Sequence, residues 1–296
     1  MSDSLRNHVV LITGATSGIG LVATRSLLAR GARVFATYRS GAKANQVFAD
    51  LPREDSERLS VLPLELGDFD SVQACAERFL ATGLPLHVLV NNAGLAGVRG
   101  RTSSGFESAF GVNHVGHFLL TRLLLDRLLA SAPARIVNVG SRAHRRVQGI
   151  DFARVTEPTR SLTGIHEYNV SKLANLLFSA ELGRRLAGTG VHTYALHPGV
   201  VDTPFWRAVP AVVRPLLKLR GMISPEAGAR TLLHCVGAPE LAQESGLYYA
   251  DCQVATPTTV ARDGELASLL WQRSVAWVRP ALGPIPAQAV WDPVGP

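Results

Sequence analysis

The chain has 296 residues, 47% of them hydrophobic and 18% charged, and carries a formal net charge of +7. That length can bury a substantial core, and the composition excludes a disordered or collagen-like chain. No run of eighteen apolar residues could span a bilayer, and the basic residues lie scattered without the aromatic stripe of a nucleic-acid surface, so neither a membrane span nor a nucleic-acid partner is expected.

The first strand is read at His8–Thr13, a continuous apolar run of the kind buried on both faces of a sheet. Thr13-Gly14-Ala15-Thr16-Ser17-Gly18-Ile19-Gly20 follows and opens a helix over Gly18–Arg30. Glycines at such a strand-to-helix turn let the backbone approach a pyrophosphate, and the helix N-terminus offers free N–H groups to it. The second strand, Ala32–Tyr38, ends in Arg39 with no carboxylate beside it. An acid there would accept from the adenine ribose hydroxyls of NAD, whereas a guanidinium suits the 2′-phosphate of NADP. NADP(H) is therefore the expected cofactor. Further strands are read at Leu59–Leu64, Leu86–Val90, Arg135–Val139 and Val191–Leu196, with helices at about 42–50, 70–82, 103–130, 167–187 and 224–236. Strict alternation predicts an α/β, doubly wound parallel sheet with helices on both faces, a single-domain Rossmann fold. One domain is expected over residues 1–278, followed by a Pro-rich tail at 279–296.

Two segments break the alternation. Ala143–Ile165 is far longer than the connections usual between strand and helix, and Thr203–Ile223 combines prolines with Phe205, Trp206, Leu216 and Leu217. The second reads as a flap over an apolar substrate, with Phe205 and Trp206 as substrate contacts; a patch for a second subunit or a membrane surface is the alternative. The cluster Arg142, His144, Arg145 and Arg146 is either a plain solvated loop or a rim that draws in an anion. The three cysteines, Cys75, Cys235 and Cys252, are widely spaced, which favours a reducing compartment, the cytoplasm, and no metal site. The short polar start leaves no room for a signal peptide before the first strand.

Chemistry concentrates in Tyr168-Asn169-Val170-Ser171-Lys172. Tyr and Lys four residues apart share one face of a helix. A phenol with its reference pKa near 10 is a poor acid/base at neutral pH, and a neighbouring ammonium is expected to lower that value. Ser141 could hold a substrate oxygen, and Asn113, mid-helix, could bond a freed carbonyl or a water.

Together, TGATSGIG, Asn91-Asn92-Ala93-Gly94, Asn113, Ser141, YNVSK and His197-Pro198-Gly199 resemble, in order and spacing, the short-chain dehydrogenases/reductases over about residues 7–275. The retinol dehydrogenase-like branch is the more specific likeness. It rests on YNVSKLANLLF at Tyr168–Phe178, the long Ser141–Tyr168 gap with Ile150-Asp151-Phe152, and Gly246-Leu247-Tyr248-Tyr249-Ala250-Asp251-Cys252. The resemblance implies a catalytic tetrad of Asn113, Ser141, Tyr168 and Lys172. Tyr168 exchanges the proton, Lys172 binds the nicotinamide ribose, Ser141 orients the carbonyl, and Asn113 holds a relay water. It implies cofactor contacts at Gly14, Ser17, Ile19, Arg39, Leu66, Asn91, Ala93, Gly94, Tyr168, Lys172, Pro198, Gly199, Val201 and Thr203. The implied reaction is hydride transfer to a bulky, mainly apolar ketone or aldehyde. Oxidation of an alcohol by the same residues and a non-catalytic NADP-binding regulator are the alternatives. Glu65 stands where the family usually has Asp, and His87 replaces a common Asp beside NNAG.

Overall fold

The computed structural model describes residues 5–199 and 223–282, and in it the apolar runs are strands. These are β1 (Val9–Ile12), β2 (Arg33–Tyr38), β3 (Leu59–Pro63), β4 (Val88–Asn91), β5 (Ala134–Val139) and β6 (Val191–His197). With β7 (Leu247–Ala250) and β8 (Gln253–Val254) they form one eight-stranded sheet of order β3-β2-β1-β4-β5-β6-β7-β8. All pairings are parallel except that of β8 with β7. The chain runs outward one way from β1 and returns to run the other way from β4. That reversal opens a crevice at the carboxyl ends of β1 and β4, where such sheets take their ligands.

The helices are α1 (Gly18–Ala29), α2 (Gly41–Phe48), α3 (Arg53–Arg58), α4 (Phe69–Leu80), α5 (Ser108–Phe110), α6 (Gly116–Ala130), α7 (Ile165–Arg185), α8 (Pro225–Gly237) and α9 (Gly264–Val278). They cover both faces of the sheet. Alternate side chains of β1 supply the two cores. Val10 and Ile12 pack with Leu27 and Leu28 of α1 and Leu232 of α8, while Leu11 packs on the side of Phe79, Phe118, Phe178 and Trp271. Apolar demand on both faces is why β1 is an unbroken apolar run and the other central strands are mostly apolar.

Several elements depart from the sequence reading. The helix expected from 103 begins at Ser108, because Thr102 closes a tight turn first: Phe106 N–H donates to Thr102 Oγ1 at 3.0 Å. Glu107 then caps the helix by accepting from Phe110 N–H at 2.9 Å. The same helix carries a π-helical turn, Gly111–Val115, between α5 and α6. The short α3, the edge strands β7 and β8, and the whole of α9 are absent from the sequence reading. Helix α9 is capped by Asp263, whose carboxylate accepts from Leu266 N–H at 3.0 Å, and it lies on α6 and α7. Its Trp271 meets Phe118 edge-on at 5.2 Å, and the Arg185 guanidinium sits 4.5 Å from the Trp271 ring centroid.

The long segment after Ser141 is pinned in place. It holds two 3-10 turns, Arg142–Arg146 and Arg154–Thr156. Glu107 accepts from the Thr159 hydroxyl, and Glu167 accepts from the backbone of Arg160 and Ser161. The expected flap, with Val201, Thr203, Phe205, Trp206, Leu216 and Leu217, lies outside the described residues, as does the tail after Leu282. Arg279–Ala281, the start of that tail, is a 3-10 turn. Among the described residues no helix is long and apolar enough to cross a membrane, and no cluster of acids, histidines and cysteines could hold a metal.

Candidate active site

The glycine-rich turn sits between β1 and α1, at the crevice. Gly14 adopts φ +68°, where an L side chain is strained. A Cβ on Gly20 would stand 2.3 Å from the Gly14 carbonyl oxygen and 2.5 Å from Asn92 Nδ2, so the turn admits no side chain there. Ser17 is the N-cap of α1, yet its hydroxyl makes no cap bond, and the first turn of the helix carries no acid. The N-terminal N–H groups and one hydroxyl are thus left to a ligand, and the electrostatics favour an anion. Gly20→Ala should destabilise the protein by about 1–3 kcal/mol, by overpacking, and weaken dinucleotide binding. Unchanged thermal midpoint and cofactor affinity would show that the turn has room to spare.

Strand β4 is tied to this turn through one hydroxyl. Thr13 Oγ1 accepts from the N–H groups of Asn92 and Ala93, each at 2.9 Å, and lies 2.8 Å from His117 Nε2. His117 Nδ1 lies 3.0 Å from the Asn113 carbonyl oxygen. A carbonyl only accepts, so His117 carries its proton on Nδ1 and accepts a hydrogen bond from the Thr13 hydroxyl at Nε2. Burial holds its pKa at about 4, so the ring is neutral.

Around it stand the four residues of the motif. Asn113 lies in the π-turn, fully buried, with its amide paired to both backbone groups of Leu95 and to Ser171 Oγ. A π-turn shifts side chains out of helical register and is frequent at functional sites. Lys172 Nζ donates to the Val139 carbonyl at 2.8 Å and lies 5.7 Å from the Tyr168 ring centroid. Gly94 lies beside both: a Cβ there would stand 3.4 Å from Asn113 Oδ1 and 3.7 Å from Lys172 Nζ, in ordinary contact. Ser141 Oγ accepts from Ala143 N–H at 3.1 Å and is hydrogen-bonded with the Tyr168 hydroxyl.

The electrostatic balance differs from the sequence expectation. Burial pushes the Tyr168 phenol up to about 12, and the Ser141 hydrogen bond only partly opposes it. Burial also lowers Lys172 to about 8. With its pKa raised, Tyr168 is a protonated phenol throughout the neutral range. In chemical terms the site presents a phenol, a serine beside it, and a lysine on the same face of α7.

A family model described as short chain dehydrogenase matches residues 8–212. The chain belongs to the short chain dehydrogenase family. Among curated relatives, retinol dehydrogenase 12 of Mus musculus is 44% identical over 90% of this chain and 84% of its own. Among solved structures, an uncharacterized protein from Mycobacterium paratuberculosis has a TM-score of 0.75 at 32% identity, covering 93% of this chain and 95% of the other. Actinorhodin polyketide ketoreductase with NADPH has a TM-score of 0.65 at 26% identity, over 84% of this chain and 95% of that one. The chain is thus an oxidoreductase of a family that acts on alcohol and carbonyl groups.

In this short chain dehydrogenase, Asn113, Ser141, Tyr168 and Lys172 converge with Gly94. Gly14, Ser17 and Ile19 lie at the turn, and Arg39 is exposed just past β2. Pro198 and Gly199 follow β6, Gly199 at φ +90°. Two residues have other tasks for their side chains. Leu66 is a core residue, and the Asn91 amide donates to Thr121 and Asn138 inside the protein. The arginines of the cluster are exposed: Arg142 pairs with Asp251 at 3.4 Å, and Arg145 donates to the Thr256 carbonyl. His117 escaped the sequence reading. Its spacing of four from Asn113 on one helix was the available signal.

Proposed function

We propose that this short chain dehydrogenase uses NADP(H) to reduce a bulky, mainly apolar ketone or aldehyde, with Tyr168 as proton donor. The observation that carries the reading is the Tyr168 hydroxyl, hydrogen-bonded with Ser141 and backed by Lys172 on the same helix face. When bound, the nicotinamide supplies the hydride. Ser141 then orients the carbonyl, Tyr168 gives its proton to the forming alkoxide, Lys172 holds the nicotinamide ribose, and Asn113 helps hold a proton-relay water. The cradle at Gly14, Ser17 and Gly20 fits a pyrophosphate, and Arg39 fits a 2′-phosphate. An apolar substrate is supported by exposed Val98 and Leu162, on two loops that meet where Gly164 packs on Gly97, just before Tyr168. Phe205 and Trp206 belong to the same reading as substrate contacts, and Val201 and Thr203 as cofactor contacts. Running the reaction in reverse, from alcohol to ketone, uses the same residues. The name of the mouse relative favours that direction as the second reading.

Initial rates test this, with NADPH and NADH compared against all-trans-retinal, 9-fluorenone and dihydroxyacetone. Faster turnover of the first two with NADPH is the expected result. Preference for dihydroxyacetone, or NADH used better than NADPH, would defeat the substrate or the cofactor half respectively. Absence of turnover in both directions with a bound dinucleotide would leave a non-catalytic binder. Arg39→Ala should weaken NADPH by about 1.5–3 kcal/mol, the worth of hydrogen bonds to a charged group, while sparing NADH. Equal losses for both cofactors in a binding titration would make Arg39 structural.

A further inference from the structure

Strand β5 pairs with β6 up to Val139, so Ser141 and Arg142 have no ladder partners. Their backbone groups must be satisfied some other way. The Ser141 carbonyl accepts from His144 N–H at 3.3 Å within the turn, and two imidazoles supply the other contacts. His144 Nδ1 lies 2.6 Å from the Ser141 carbonyl oxygen, and Arg142 N–H donates to His197 Nδ1 at 3.3 Å. Both bonds grip one peptide unit, the first at its oxygen and the second at its hydrogen.

The proton positions follow from the partners. A carbonyl only accepts, so His144 carries its proton on Nδ1, and its Nε2 accepts from Thr258 N–H at 3.4 Å. An N–H only donates, so His197 is bare on Nδ1 and protonated on Nε2. The two rings hold opposite tautomers, and they come from different elements: the turn after Ser141 and the end of β6. Both are buried, at 0% and 4% exposure. Burial disfavours protonation of His144 and, helped by the Arg142 charge and opposed by Asp251, holds His197 at about 4. His144 is itself fixed, standing edge-on to Tyr248 with ring centroids 5.4 Å apart. Between the two imidazoles the plane of the Ser141–Arg142 peptide is held, and together with β5, which fixes the chain on the other side, it sets the Cα–Cβ direction of Ser141.

We propose that His144 and His197 are positioning residues for Ser141, fixing the peptide that follows it so that its hydroxyl faces the substrate oxygen. The proposal rests on the reading of Ser141 as the residue that holds that oxygen. A merely structural pair of histidines would stabilise the fold, and its loss would add to any defect at Ser141. A positioning pair acts through Ser141 and loses its effect once that hydroxyl is gone.

The test measures NADPH-linked reduction of 9-fluorenone, or of all-trans-retinal if that is turned over faster. It compares wild type with His144→Phe, His144→Asn, His197→Leu, His197→Asn, Ser141→Ala and Ser141→Ala combined with His144→Phe. His144→Phe and His197→Leu should each lower kcat by roughly 10- to 100-fold, the effect of a small misplacement of a reacting group, with NADPH affinity and thermal midpoint largely kept. The asparagine variants should recover most of the loss. In His144→Asn the new amide nitrogen stands in for the Nδ1 donor, and in His197→Asn the new amide oxygen stands in for the Nδ1 acceptor. In the Ser141→Ala background, His144→Phe should cost nothing further. Additive losses, or asparagine no better than phenylalanine and leucine, would overturn the proposal. Should His144→Phe fail to fold, His197→Leu makes the same comparison from the other side of the peptide. A Ser141→Ala enzyme with near-normal turnover would overturn the tetrad reading and this proposal with it. An inactive Ser141→Ala beside normal histidine variants would overturn the proposal alone.

Discussion

Tyr168→Phe should lower turnover by roughly 10²- to 10⁴-fold, the range spanned by loss of a general acid, while NADPH binding persists. The substitution keeps the ring and removes only the hydroxyl that meets Ser141. No other described side chain in the convergence of Asn113, Ser141 and Lys172 offers an ionisable O–H to a carbonyl oxygen. Single-turnover mixing of NADPH-loaded enzyme with 9-fluorenone separates the two effects, because cofactor affinity and the hydride step are read independently. Near-normal turnover by Tyr168→Phe would remove the centre of the proposed mechanism. Loss of cofactor binding alongside turnover would recast Tyr168 as part of the nucleotide pocket.

The second large effect concerns pH. Burial lowers Lys172 to about 8 and raises Tyr168 to about 12, so the lysine titrates first. Reductive kcat/KM should be flat below pH 7.5 and decline above about 8, as Lys172 loses the charge that holds the ribose side of the site and Tyr168 remains protonated. Lys172→Met should lower the rate at pH 7 by roughly 10²-fold or more, as expected for removing a preorganised charge, and should abolish the inflection. Persistence of the decline in Lys172→Met would assign it to another group. Stability should respond in the opposite sense. A buried lysine whose folded pKa lies below its unfolded value of about 10.4 binds fewer protons folded than unfolded between those limits, so its contribution to stability rises with pH there. Activity lost above pH 8 with no matching fall in thermal midpoint is therefore the signature of Lys172 deprotonation.

Much of the fold was legible because both faces of the sheet demand apolar side chains, which makes β1 an unbroken run and leaves β2, β4, β5 and β6 mostly apolar. The site was legible where chemistry requires fixed spacing: glycines at a strand-to-helix turn, and Tyr and Lys one helical turn apart. What escaped was set by tertiary context. The π-turn at Gly111–Val115 accompanies the pairing of Asn113 with the backbone of Leu95, a contact between distant segments. Helix α9 has an ordinary helical composition, and its importance comes from the ring cluster it joins. The direction of the Tyr168 shift was misjudged for the same reason. Spacing along a helix tells which groups are neighbours, whereas the depth of the phenol depends on every element packed around it.

The place of α9 has a consequence for how the chain comes to be folded during synthesis. Trp271 completes a ring cluster with Phe118 and Phe178, and Ser274 Oγ lies 2.8 Å from Nε2 of buried His114, next to Asn113. Those partners leave the ribosome some ninety to a hundred and sixty residues earlier. Until Gly264–Val278 emerges, α6 and α7 have apolar faces turned to water, and a nascent chain halted before Gly264 should bind chaperones through them. The face of the sheet carrying α1 draws on elements that end by Ala250, Tyr249 of β7 among them. That side of the enzyme can thus close before the side that carries Asn113 and Tyr168.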